Sequence, residues 1–93
     1  MPIIDAEPTP NPNSLKFTTD GPPFVESGLF AFRSAQEAVE HPLGSRLFAV
    51  DGVADVLIMP AFLTVTKRPD AAWPIVEDRV RQVLQLWLSR SAD

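Results

Sequence analysis

The sequence predicts an α+β fold in the order β-β-α-α-β-β-α: a four-stranded, largely antiparallel sheet with helices packed on one face. Three observations carry that expectation. Two runs rich in Val, Ile, Phe and Thr, Val53 to Ile58 and Phe62 to Lys67, flank a connection containing Pro60 that is too short for a crossover helix. Val76, Val80, Val83, Leu84 and Trp87 recur at helical spacing, with Glu77, Asp78, Arg81 and Gln85 away from the stripe's centre. Leu15, Phe17 and Thr19 alternate with Lys16 and Thr18, as a half-buried strand requires.

In chain order, Ile3 to Glu7 reads as a first strand. Pro8-Thr9-Pro10-Asn11-Pro12-Asn13 ends it, because three prolines and two asparagines continue neither strand nor helix. Leu15 to Thr19 is the second strand, paired with the first and closed by Asp20-Gly21-Pro22-Pro23. Phe24 to Phe32 has little periodicity; Phe30 and Phe32 suit a short extended piece plugging the core edge. Ser34-Ala35-Gln36-Glu37 has capping-box spacing and predicts a short helix to about Glu40. Pro42 suits the first turn of a second helix, with Leu43, Leu47, Phe48 and Val50 on its apolar side and Gly52 as a left-handed cap.

The hairpin follows. Its first run places Ala54, Val56 and Ile58 opposite Val53, Asp55 and Leu57; its second places Leu63 and Val65 opposite Phe62, Thr64 and Thr66. Arg68-Pro69-Asp70 breaks the second run. Pro74 suits the first turn of a last helix from Ile75 to Leu88, with Arg90 beyond its end and fraying over residues 89–93.

The totals exclude several classes. Ninety-three residues suffice for one domain with one core, residues 1–93. A net charge of −4, with eight scattered basic residues, argues against nucleic acid and against anionic membranes as partners. The chain has no cysteine, which removes thiolate metal sites, cysteine nucleophiles and direct ligation of an iron–sulfur cluster. No apolar run reaches the ~18 residues of a membrane span. Met1-Pro2-Ile3-Ile4-Asp5 lacks a basic region followed by an apolar one, so the default expectation is a cytoplasmic location without a signal peptide.

Candidate chemistry is sparse. His41 is the single histidine and stands before Pro42, where an N-cap or surface role is simpler than metal ligation or proton transfer. Glu77 and Asp78 are adjacent and point apart on a helix; Glu37 and Glu40 share i, i+3 spacing, but capping already explains Glu37. The four glycines never form a phosphate-cradling loop. Trp87 suits the core, and Trp73 a staple at helix entry. Asn11 and Asn13 suit Asx turns, with presentation of a side-chain amide to a partner as the alternative. No catalytic, cofactor or metal residue is assigned, and no enzyme activity or cofactor is expected.

Three strings then combine. Thr9-Pro10-Asn11-Pro12-Asn13-Ser14-Leu15-Lys16-Phe17 resembles the opening of the N-terminal domain of NifU-like (Nfu) iron–sulfur scaffold proteins. Pro42-Leu43, Leu47-Phe48 and Asp51-Gly52-Val53 resemble its middle, and Phe62-Leu63-Thr64-Val65-Thr66-Lys67 with Trp73 its close. The resemblance implies an α+β sandwich accessory to iron–sulfur cluster assembly or delivery, binding assembly factors or cluster-accepting proteins. In two-domain relatives a Cys-x-x-Cys motif in the C-terminal domain holds the cluster. These 93 residues contain no cysteine, so ligation passes to no residue here. A peptide- or small-ligand-binding module unrelated to clusters is the competing reading.

If the helices cover one sheet face, the other carries Lys16 and Thr18, Asp55 and Leu57, and Phe62, Thr64 and Thr66. Leu57 and Phe62 then form an apolar spot on a hydroxyl-bearing sheet. That mixture of anchor and polar rim suits a transient protein partner.

Overall fold

The computed structural model describes residues 3–91 and comprises β1 (Ile4–Pro8), β2 (Ser14–Thr19), β3 (Phe30–Phe32), α1 (Pro42–Phe48), β4 (Val53–Ile58), β5 (Phe62–Lys67) and α2 (Trp73–Ser91). The sheet is antiparallel throughout, in the order β1-β2-β5-β4-β3. The hairpin predicted from Val53 to Lys67 thus lies inside the sheet, with β2 on one side and β3 on the other. Its residue bounds are those read from the sequence.

Three expectations are corrected. The sheet has five strands, because Phe30–Phe32 pairs with Val56–Ile58 instead of standing apart from it. A three-residue strand lacks the length to show period-two alternation, so only its partner reveals it. The plug at this end of the core is Phe24, 1% exposed, held by its N–H donating to the Pro60 carbonyl at 3.0 Å.

The helix expected over 34–40 is absent. One of its two capping bonds forms, the Glu37 N–H donating to Ser34 Oγ at 3.2 Å, whereas Glu37 Oε1 accepts from the Arg33 N–H at 2.7 Å, one residue before the expected cap. Yet the segment is a run of turns, largely closed by i to i+3 bonds such as His41 N–H to the Ala38 carbonyl at 3.0 Å. Ala38 alone is buried between residues 34 and 40, so no apolar stripe repays the ordering of a helix. The element order is therefore β-β-β-α-β-β-α.

The third correction concerns β4. A register shift between Val53 and Asp55 inserts one residue against β5. This bulge turns Val53 onto the side of Val56 and Ile58, where it is 7% exposed, while Asp55 and Leu57 stay on the opposite side. Strict alternation had grouped Val53 with Asp55 and Leu57.

Both helices cover one sheet face. Leu43 and Leu47 of α1 and Val76, Val80, Leu84 and Leu88 of α2 bury against Phe17, Val56, Ile58, Leu63 and Val65. α2 extends to Ser91, past the expected fraying point; Ala92 and Asp93, also placed in the frayed end, lie outside the described residues, as do Met1 and Pro2. Gly52 lies three residues after the helix cap Ala49, in the turn closed by Val53 N–H to the Val50 carbonyl at 3.3 Å. Its φ of +101° needs glycine, and a Cβ there would meet Ala71 Cβ at 2.9 Å.

Candidate functional interface

Strand register gathers the outward-facing side chains into rows. Glu7, Lys16, Thr64 and Leu57 are successive cross-strand partners from β1 to β4, and Ala31 of β3 continues the row opposite Leu57. A second row runs Asp5, Thr18, Phe62; a third runs Ser14, Thr66, Asp55. All seven residues singled out from the sequence (Lys16, Thr18, Asp55, Leu57, Phe62, Thr64 and Thr66) therefore share one face, and each is half-buried. No helix lies over them, since α1 and α2 occupy the other side.

The face has local order. Lys16 Nζ lies 4.7 Å from the centroid of the Phe62 ring, so the cation and its stem lean over the largest apolar group of the surface. Leu57 is the diagonal neighbour of Phe62, because Leu57 faces Thr64 across the β4–β5 ladder. Ser14 and Thr66 hydroxyls are 2.7 Å apart, which satisfies both polar atoms on this side of the ladder. Between β3 and β5 a shallow cavity of ≈ 150 Å³ is lined by Arg33, Asp55, Leu57, Thr64 and Thr66, among others. The surface combines an aromatic ring, a leucine, hydroxyls and charges of both signs.

Sequence reasoning overlooked Asp5, Glu7 and Arg33 at this face. The first two were legible, since Ile4 and Ala6 alternate with them along β1. Arg33 follows a strand that had no periodic signal of its own.

The Asn-Pro-Asn string belongs elsewhere. Asn11 Oδ1 accepts from the Asn13 N–H at 2.9 Å, an Asx turn as expected. Asn13, expected to bond locally, instead accepts from Lys67 Nζ through Oδ1 at 3.0 Å. Trp73 Nε1 donates to the Pro12 carbonyl at 3.0 Å, and Lys67 Nζ lies 5.9 Å from the Trp73 ring centroid. The loop, the end of β5 and the start of α2 are thus clasped together, with Lys67 only 8% exposed. The motif residues Pro12, Asn13 and Lys67 hold the fold together at this corner. Leu15, Phe17, Leu43, Val53 and Val65 of the same strings are core or near-core positions.

His41 caps α1: its Nδ1 accepts from the Gly44 N–H at 3.0 Å. Phe30 and Phe32 rings stand 4.6 and 5.4 Å from its own, and burial lowers its pKa from the ordinary 6.5. Among the described residues no three His, Asp or Glu side chains group as metal ligands, and no helix is long and apolar enough to cross a membrane.

Fold and surface together describe a small α+β module built to present one open sheet face. Residues 4–91 match the family described as "Scaffold protein Nfu/NifU N terminal", and the chain belongs to that family. It is 38% identical over 82 residues to NifU-like protein 5, mitochondrial, of Arabidopsis thaliana, covering 88% of this chain and 30% of that protein. To the human NFU1 iron-sulfur cluster scaffold homolog, mitochondrial, it is 44% identical over 65 residues, covering 70% of this chain and 25% of the relative. The chain thus spans about three-tenths or less of these relatives' length. Among solved structures, the crystal structure of SAV1430 from Staphylococcus aureus is similar, with TM-score 0.72, 26% identity and 89% and 98% of the two chains covered. A NifU-like protein from Saccharomyces cerevisiae shares the fold, with TM-score 0.81, 23% identity and 96% and 80% coverage.

These relatives correct one expectation. Both curated relatives are mitochondrial by name, which overturns the cytoplasmic location inferred from the first five residues. The lack of a basic, then apolar, opening speaks only to a secretory signal, and it carried that inference too far.

Proposed function

We propose that residues 1–93 act as one Nfu N-terminal-like domain that docks protein partners in iron–sulfur cluster assembly or delivery, without catalysis and without cluster ligands of its own. The names of the relatives support the pathway, and the absence of cysteine supports the division of labour: any cluster is held by other chains or domains. One observation carries the docking role. The face of the sheet away from the helices gathers an aromatic ring, a leucine and a lysine inside a rim of hydroxyls and carboxylates. Apolar anchors within a polar rim bind firmly enough for transfer and release readily afterwards.

The test is a titration of the ¹⁵N-labelled chain with a purified Nfu domain carrying a cluster on its Cys-x-x-Cys motif, and separately with a cluster-free acceptor protein. Amide shifts centred on Lys16, Leu57, Phe62 and Thr64 are expected with at least one of them. Phe62→Ala then weakens binding by more than about 1 kcal/mol while the spectrum keeps its dispersion. Shifts confined to the helix layer would overturn the sheet-face assignment. Binding only to unrelated peptides or small ligands would favour the cluster-independent module instead.

A further inference from the structure

We propose that the groove between α1 and α2, on the helix layer away from the sheet face, docks an acidic amphipathic helix of a partner protein. A cavity of ≈ 340 Å³ opens there, floored by Val83 and Leu86 of α2 and flanked by Arg46 of α1 and Arg79 of α2. Leu86 is 69% exposed and lies outside the buried stripe of Val76, Val80, Leu84 and Leu88. Arg46 and Arg79 are both exposed, and neither pairs with a carboxylate among the described residues. The one acid in the groove, Asp51, is engaged by Arg68 at 3.1 Å. In a chain of net charge −4, two cations without a carboxylate partner among the described residues thus stand beside an exposed leucine.

That arrangement specifies its occupant by charge and shape. A third helix fits the ridge-and-groove surface of two packed helices, with an apolar stripe over Val83 and Leu86. Carboxylates along that helix would meet Arg46 and Arg79, and bidentate arginine–carboxylate pairs would fix its direction. The groove and the sheet face lie on opposite layers, so both can be occupied together. The inference stands whether or not the sheet-face reading holds.

The probe is a synthetic amphipathic helical peptide with one leucine stripe bordered by glutamates, compared with its counterpart carrying lysines at the same positions. The glutamate peptide is expected to shift the amides of Ala49, Gln82, Val83 and Leu86 and to weaken as salt rises. The lysine peptide should leave them unmoved. Arg46→Glu with Arg79→Glu should weaken binding about tenfold or more. Because Arg46 also lies 5.8 Å from the Trp87 ring, Arg79→Glu alone serves as the variant that leaves packing untouched, with a smaller loss in the same direction. Equal binding of both peptides, unchanged affinity of the variants, or shifts on the Lys16 and Phe62 surface would each overturn the proposal. So would concentration-dependent self-association that perturbs these same amides, which would assign the groove to a second copy.

Discussion

Leu84 has no exposed surface, while Glu77, seven residues earlier on the same helix, keeps about a third of its side chain in water. Leu84→Ala should cost roughly 2–5 kcal/mol, since it leaves a cavity in the core beneath α2. Glu77→Ala loses a half-buried i, i+4 pair to Arg81 and should cost within about 0.5 kcal/mol. Urea titrations of the two variants check this contrast in burial, and equal losses would contradict it. His41 makes a second prediction at this scale. Its imidazole caps α1 through a proton-free Nδ1, and burial depresses its folded pKa below 6.5. The unfolded state therefore binds the proton more readily. The stability from this group is complete above the unfolded value and is lost as pH falls through the lower folded one. Denaturation midpoints taken from neutral pH down to about 5 should fall, and His41→Ser, which caps without titrating, should flatten that part of the slope.

At the scale of elements, the corner joining the Asn-Pro-Asn loop, β5 and α2 depends on long-range polar contacts more than on any one strand. Trp73→Phe keeps most of the ring but removes the donor to the Pro12 carbonyl, so it should cost about 0.5–1.5 kcal/mol. Hydrogen exchange should show the loss concentrated in residues 11–14 and the first turn of α2; uniform loosening across the sheet would contradict a local clasp. Arg81 makes a comparable tie on the opposite side, donating from α2 to the Ile4 carbonyl at the sheet's edge. That contact occupies one acceptor on edge strand β1, and Pro8 lacks an N–H at its end, so two pairing positions of that edge are removed. Residues 34–40 show the converse. A single capping bond does not make a helix when the segment has almost nothing apolar to bury.

For the whole molecule, the proposed division between cluster-holding and docking chains predicts a negative result of a defined kind. Anaerobic reconstitution of these 93 residues with iron and sulfide should leave no stoichiometric visible absorption after desalting, because one capped histidine and scattered carboxylates do not replace thiolates. A stable brown protein with near-integer iron and sulfide would contradict it.

The hairpin from Val53 to Lys67 and the helical stripe of Val76, Val80 and Leu84 were legible because local periodicity reports burial directly, whereas Leu88 completes that stripe and Val83 and Trp87, expected on it, are half-buried. So was the grouping of Lys16, Thr18, Asp55, Leu57, Phe62, Thr64 and Thr66 on one face, since alternation and antiparallel pairing leave each strand only two orientations. Strand β3 was not legible, because three residues carry no period and its existence depends on β4 offering a free ladder. Nor was the bulge that turns Val53 inward, which is a property of two strands in register. The roles of Asn13, Lys67 and Trp73 were equally hidden, for their contacts span more than 50 residues of chain. Local sequence decides which residues prefer burial and which backbone they favour. Only the packed structure decides which distant polar atoms find one another, because that choice is made by the core that brings them together.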